Sequence, residues 1–210
     1  MKTWVSFIAI ILMALSGYSQ PFPKSSKTKV GMTAGLVTSQ IFGTELENPG
    51  LKTSMTVGAY YRYKLSKKTN LGAELNASFR GSNFDNGITD AYSAVKFIYL
   101  DLPINLMIEA KSGEQPQFVT LGLEPAYQLQ SEIFVKPNDL VARYRNEYFK
   151  RFDVAAVIGY HFDFYYFGLR PSLRIGLLDI NDNLVLENVN PATGKGGTIK
   201  NAAFDIRFYF

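Results

Sequence analysis

The sequence is built from long segments in which apolar and polar residues alternate one by one. In the stretch NLGAELNASFR, every second residue from Leu71 to Phe79 is apolar and the residues between them are polar or glycine. The last ten residues, NAAFDIRFYF, repeat this pattern. A period of two indicates a β-strand, because successive side chains of a strand point to opposite faces. Such segments occur at residues 29–38, 54–65, 70–80, 97–109, 117–130, 150–161, 165–177 and 201–210.

The lengths of the segments and of their connections favour a transmembrane barrel. Segments of about ten residues match a tilted strand that crosses a bilayer and are long for a soluble sheet. Short connections near residues 65–69, 110–116 and 161–164 alternate with long ones near 39–53, 81–94, 131–149 and 178–197. Outer-membrane barrels have short periplasmic turns and long outer loops. We therefore expect an all-β fold, an eight-stranded antiparallel up-and-down transmembrane β-barrel, with ten strands if a long loop contains a hairpin.

A soluble barrel of the lipocalin kind would alternate in the same way but would turn its apolar face inward. Here the apolar face is almost free of charge, as a lipid-facing wall requires, because a charge at the bilayer midplane costs about 2–4 kcal/mol. The polar face is then expected to line the lumen. Its predicted charge network contains Arg62, Glu74, Arg80, Asp101, Glu109, Glu124, Arg151, Asp153, Arg170, Arg174, Asp205 and Arg207.

The near balance of acids and bases in this set favours internal ion pairs that fill the narrow lumen of an eight-stranded barrel. A thin polar path, or an anion-binding cleft at Arg170, Arg174 and Arg207, is the alternative. Pro103 and Pro171 lie inside predicted strands. Because proline lacks an amide hydrogen, we expect a local bulge at each, or a neighbouring carbonyl that bonds water instead.

The first residues, MKTWVSFIAIILMALSGYSQ, have the features of a secretory signal peptide. Lys2 is basic, an apolar run follows, and the small residues Gly17 and Ser19 precede Gln20. The run of about a dozen apolar residues is shorter than the roughly 20 that a spanning helix needs. We therefore divide the chain into a signal peptide, residues 1–19, and an outer-membrane barrel domain, residues 20–210.

The composition argues against catalysis and metal binding. The chain has no cysteine and one histidine, His161, so a thiolate nucleophile and a transition-metal site have no basis. The stretch DINDNLVLE at 179–187 fails the EF-hand spacing, and GKGGT at 194–198 fails the phosphate-loop spacing. The net charge of +4 is spread along the chain, which gives nucleic-acid binding no support. We expect no enzyme activity, catalytic residue, metal or cofactor.

The stretch KFIYLDLPINLMIEA, residues 96–110, resembles the signature strand of the PorT-like, porin-family outer-membrane barrels of Bacteroidota. The shared run is a Tyr-Leu pair, an acidic residue, an apolar residue and proline. The stretches LGAELNASFRGS, VTLGLEPAYQLQ and FDVAAVIGYHF resemble the strands around it. The terminal Phe210, with Phe208, resembles the C-terminal aromatic signal that the barrel-assembly machinery reads. The resemblance thus implies a membrane barrel and an assembly partner, and it leaves activity open.

The outer loops are the predicted recognition surface, because loops on a rigid scaffold often carry binding. The loop stretch FVKPNDLVARYRNEYF offers Arg143, Tyr144, Arg145 and Tyr148 to a partner or to lipid phosphates. We therefore expect a non-enzymatic envelope protein that contacts membrane lipid and acts through its loops or within an envelope or secretion assembly. Narrow transport of small solutes, or a PorT-like part in type IX secretion, are the alternatives.

Overall fold

The computed structural model describes residues 27–43, 49–84, 92–135, 142–145, 149–182 and 198–210. Within them lie eleven strands, and no helix there is long and apolar enough to cross a membrane. The predicted signal peptide lies outside the described residues. The strands are β1 Thr28–Gly43, β2 Pro49–Gly50, β3 Lys52–Lys64, β4 Thr69–Phe84, β5 Tyr92–Asp101, β6 Ile104–Lys111, β7 Gln117–Val135, β8 Ala142–Arg145, β9 Phe152–Asp163, β10 Gly168–Gly176 and β11 Ile199–Tyr209.

The long strands form one closed antiparallel ring. Strand β1 pairs with β3, the pairing continues through β4, β5 with β6, β7, β9 and β10 to β11, and β11 pairs back onto β1. Phe210 completes this closure, because its amide donates to the Met32 carbonyl over 2.9 Å and its carbonyl accepts from the Met32 amide over 3.1 Å. A side chain at Gly31 would collide with that carbonyl of Phe210. Closure therefore gives each long strand of the ring a partner on both sides.

Strands β5 and β6 are one barrel strand interrupted at Leu102 and Pro103. The pairing with β4 has the same register before and after the interruption, since Asp101 lies opposite Asn76 and Ile104 opposite Ala73. The ring therefore has eight members, as the alternation predicts. The short strands β2 and β8 pair with β4 and β7 without entering the ring.

The expected bulges at the two prolines are not found. The register continues through Pro103, and β10 keeps one register with β11 through Pro171. A register shift occurs instead between Ile98 and Tyr99 in the pairing with β7. The ladder is interrupted at Pro103 but keeps its register across it, and at Pro171 it continues without a shift.

Short turns at residues 65–68, 112–116 and 164–167 lie at one end of the ring, which we call the turn end. The long connections lie at the opposite end, the loop end. The outward face of the wall is apolar along its length, and Leu75, Leu100, Ile104, Leu123 and Phe204 are each 41–53% exposed. The inward side chains between them are polar through most of the ring. This division confirms the predicted transmembrane pattern of an apolar outside and a polar inside.

The interior changes character near the loop end. There the inward positions are apolar and form one buried cluster, which we call the apolar plug: Ile41, Phe84, Val95, Phe97, Tyr99, Ala126, Ile133, Phe149, Ile180 and Ile199. The rings of Phe97 and Phe149 pack edge to face at 4.9 Å.

Candidate functional site

Four arginines and four carboxylates join into one continuous structure across the polar interior, which we call the ion chain. Each member of the chain is at most 4% exposed. The members come from β4, β5, β7, β10 and β11, so the contacts tie strands from both sides of the ring. In contact order the ion chain is Arg170, Glu74, Arg207, Asp205, Arg174, Glu124, Arg80 and Asp101.

Glu74 is the most heavily bonded member of the ion chain. Its Oε1 lies 2.6 Å from Nη1 of Arg170 and accepts hydrogen bonds from Asn105 and the Tyr209 hydroxyl over 3.2 and 3.0 Å. Its Oε2 accepts from Nη1 of Arg207 over 2.5 Å and from the amide of Asn76 over 3.1 Å. Five donors around one carboxylate offset the cost of removing it from water.

Arg207 connects the Glu74 side of the ion chain to Asp205. Its Nε donates to Asp205 Oδ2 over 2.7 Å, while Nη1 binds Glu74. Asp205 also accepts from Arg174 and from the Ser172 hydroxyl. The guanidinium of Arg207 therefore bridges two carboxylates, a use for which its fixed fork of donors is suited.

The other half of the ion chain is built on Glu124. Arg174 donates to its Oε1 over 3.0 Å, and Arg80 donates to the same oxygen. Arg80 also donates to Asp101 Oδ2 over 2.6 Å, and its guanidinium lies 5.1 Å from the centre of the Tyr99 ring. The Tyr99 contact places the end of the ion chain directly against the apolar plug.

A second cluster of charges lies at the turn end. Arg62 donates to Asp163 over 2.7 Å and lies 2.7 Å from Nε2 of His161, which is 2.9 Å from the other Asp163 oxygen. Lys29 donates to Asp163 over 3.4 Å. This cluster joins β1, β3 and β9, the three ring strands that contribute nothing to the ion chain.

Asp153 is buried apart from both groups. Its Oδ2 accepts from the Asn201 amide over 3.0 Å, and the same amide donates to the Tyr99 hydroxyl over 3.3 Å. Among the described residues no arginine or lysine forms an ion pair with Asp153. Asp153 belongs to the predicted lumen network, but it lies beside the apolar plug and outside the ion chain.

Two other residues of the predicted network lie outside it. Glu109 is half-buried at the turn end and lines the mouth of the barrel. Arg151 is exposed at the loop end, where it precedes β9 and donates to the Tyr127 hydroxyl over 3.4 Å. Arg151 departs from the expected inward face because the alternation begins only after it, at Phe152.

The predicted recognition residues are placed only in part. Arg143, Tyr144 and Arg145 belong to β8, which pairs with the loop end of β7, whereas Tyr148 lies outside the described residues. Phe208, in the predicted assembly signal, is 39% exposed on the outward face.

Neutral side chains that the sequence did not single out complete the network. Asn76, Asn105, Ser172 and Tyr209 all donate to members of the ion chain. The alternation places all four on the polar face of their strands, and this position could have indicated that they line the lumen. A cavity beside Glu74 has a volume of ≈ 10 Å³, which is about the space of one water.

The loop stretch beginning at Asp179 uses its carboxylate locally. Oδ1 of Asp179 accepts from the amides of Asn181 and Ile199 over 3.0 and 2.9 Å. Burial alone would raise the pKa of Asp179, but these amides and the Lys150 ammonium lower it overall. Among the described residues, no group of three histidine or acidic side chains is placed to hold a metal ion.

The geometry of a closed eight-stranded ring with an apolar outside agrees with the comparison to protein families. The model of the outer membrane protein beta-barrel domain matches residues 18–182. The chain belongs to this family. No curated protein matches the chain.

Solved structures show the same fold at low sequence identity. The attachment invasion locus protein Ail of Yersinia pestis, in complex with the heparin analogue sucrose octasulfate, is 10% identical, with a TM-score of 0.50 and coverage of 88% of this chain and 98% of Ail. A second crystal structure of Ail gives a TM-score of 0.47 at 10% identity, over 88% of this chain and 97% of Ail. Neisserial surface protein A gives 0.45 at 8% identity, over 88% of this chain and 100% of the other.

Proposed function

We propose that this chain is a non-enzymatic outer-membrane protein whose barrel is a closed anchor and whose loop end binds a partner of the cell envelope. The observation that carries this proposal is the filled interior. The ion chain occupies its middle and the apolar plug occupies its loop end. A closed interior leaves the two ends of the barrel as the surfaces on which function can act.

The loop end is the better candidate for partner binding. Strand β7 has 19 residues and pairs with β9 only as far as Tyr127. Beyond that point β8 pairs with β7, from Glu132 opposite Arg145 to Val135 opposite Ala142. This β7–β8 pairing continues the wall past the end of β9 and offers a surface for recognition at the loop end.

The test is a mild-detergent purification of the tagged protein from native outer membranes, with partners identified by mass spectrometry. We expect a stoichiometric envelope protein to co-purify with the native chain and to be reduced at least tenfold by Arg143→Ser with Arg145→Ser. The matched control is Lys67→Ser with Lys68→Ser, which removes the same charge at the turn end and should leave the partner bound. Recovery of the native barrel alone, or equal loss in both variants, would contradict the proposal.

Two alternatives remain proposals of lower rank. Transport of small solutes needs a continuous wet path, and steady single-channel currents in a planar bilayer would support it over a closed anchor. A PorT-like role in type IX secretion rests on the resemblance at residues 96–110, and co-purification of secretion components would support it. Export by a cleaved signal peptide and assembly through Phe210 belong to the same proposal, and N-terminal sequencing of the mature protein tests the cleavage.

A further inference from the structure

The turn end contains a cavity of ≈ 560 Å³ that the proposed function does not use. Its volume lies within the roughly 300–1,000 Å³ of pockets that bind small ligands. Arg62, buried beneath it with His161, forms part of its floor, and Phe118 contributes an aromatic wall. We call this cavity the vestibule.

Charges in the vestibule are divided between two sides. Five cations come from β1 and the residue before it, from β3 and from the turn after β3: Lys27, Lys29, Arg62, Lys64 and Lys67. Two carboxylates, Glu109 and Glu114, come from β6 and the turn that follows it, and a third, Asp163, comes from β9. In the ring, β3 and β4 lie between β1 and β6, so Lys27 and Lys29 are separated from Glu109 along the rim, whereas the turn after β3 lies next to β6.

The cationic side places like charges directly opposite one another. Lys29 is the register partner of Arg62. One step further toward the turn end, the Lys64 amide donates to the Lys27 carbonyl over 2.8 Å, which holds those two lysines side by side. Like charges opposite each other on neighbouring strands destabilise a sheet.

The internal countercharge on this side is limited. Asp163 already accepts from Arg62 and Lys29 and is also bonded to His161. Among the described residues, no carboxylate forms an ion pair with Lys27, Lys64 or Lys67. Positions that cost stability in this way are expected where a ligand supplies the missing interaction.

We propose that the vestibule binds a short acidic peptide segment of a periplasmic protein, one that carries at least two carboxylates and one ammonium group. The carboxylates pair with Lys27, Lys64 and Lys67, and the ammonium group pairs with Glu109 or Glu114, which line the same mouth. Phe118 and the aromatic residues of the turn after β9 contact the apolar parts of the segment. This site is independent of the loop-end partner and requires only that the turn end faces the periplasm, as short turns of such barrels do.

The test uses the full-length mature barrel in nanodiscs of zwitterionic lipid and the acetylated, amidated peptide Glu-Glu-Gly-Lys as the probe. Isothermal titration calorimetry should detect binding that weakens with added salt, because the contacts are ionic. The variant Lys27→Gln with Lys64→Gln should weaken binding at least tenfold. Its thermal stability should be unchanged or higher, since the change removes a like-charge contact.

The matched control is Lys68→Gln with Lys111→Gln, which removes two exposed charges from the same end but outside the vestibule lining. This control should bind the peptide as the native chain does. Three results would overturn the proposal: no binding to the native barrel, equal weakening in both variants, or pyrophosphate binding as tight as the peptide. The last result would indicate a general anion site rather than a peptide site.

Discussion

The two halves of the barrel interior are filled by opposite kinds of chemistry. The middle holds the ion chain, in which each group is specified by charged partners on other strands, as Glu74 is by Arg170 and Arg207. The loop-end half holds the apolar plug, in which Phe97 and its neighbours are specified by shape and volume. Side chains fill both parts of the lumen. A carboxylate of the ion chain has few substitutes, whereas an aromatic ring of the apolar plug can be replaced by another apolar side chain.

The difference arises because the penalties for a missing group differ. A buried arginine that loses its carboxylate retains an uncompensated charge, and breaking such a pair costs about 3–5 kcal/mol. A smaller apolar side chain leaves a cavity whose cost falls as the surroundings relax into it. The ion chain should therefore be sensitive to the identity of its members, and the apolar plug to their volume.

The largest effect is expected from Glu74→Gln, a change that keeps the shape of the side chain and removes its charge. Arg170 and Arg207 would lose their shared partner, and the free energy of unfolding should fall by about 3–5 kcal/mol. Urea unfolding in detergent, followed by circular dichroism, measures this loss of stability. Tryptophan fluorescence is not suitable, because the only tryptophan, Trp4, lies in the predicted signal peptide. Glu109→Gln is the control and should cost less than about 1 kcal/mol, since Glu109 is half-buried at the open mouth. Equal costs would show that the ion chain has no special role.

A smaller and more graded effect is expected at Phe97 in the apolar plug. Phe97→Ala should lower the free energy of unfolding by about 3 kcal/mol, because Phe97 is 1% exposed and packs against Phe149. Phe97→Leu should cost less than about 1.5 kcal/mol, because it keeps most of the volume. The same unfolding measurement compares the two variants. If the conservative Phe97→Leu were as costly as Glu74→Gln, the distinction between the two halves would fail.

The sequence could predict the wall of the barrel far better than its contents. A lipid-facing wall requires apolar residues at every second position, so the eight segments and their outward residues can be predicted from the sequence alone. No comparable rule decides whether an inward position is polar or apolar. Val95, Phe97 and Tyr99 are apolar and inward, whereas Ile98 between them is only partly exposed, so alternation alone does not locate the apolar plug.

Pairing inside the lumen was also beyond the sequence, because it depends on which strands meet across the ring. Arg174 and Asp205 lie on neighbouring strands with inward side chains, and they form an ion pair. The contact of Arg170 with Glu74 joins β10 to β4, which are not neighbours in the ring. Only the closed shape brings such residues together.

The smallest effect is expected at Arg151, which the alternation assigned to the lumen and the structure places on the exposed rim. Replacing an arginine by alanine should lower the free energy of unfolding much more in the lumen than on the rim. Arg151→Ala should alter the free energy of unfolding by no more than about 0.5 kcal/mol, as exposed substitutions do. Its contact with the Tyr127 hydroxyl is single and long, at 3.4 Å.

Arg174→Ala supplies the comparison, because Arg174 is 1% exposed and contacts both Glu124 and Asp205. Removing it leaves two carboxylates short of a cation, so the loss should approach that of Glu74→Gln. Parallel urea titrations of the two alanine variants measure the gap directly. A large loss at Arg151 would mean that its guanidinium reaches into the interior after all, and the boundary of the polar interior would then extend beyond Asp153 toward the loop end.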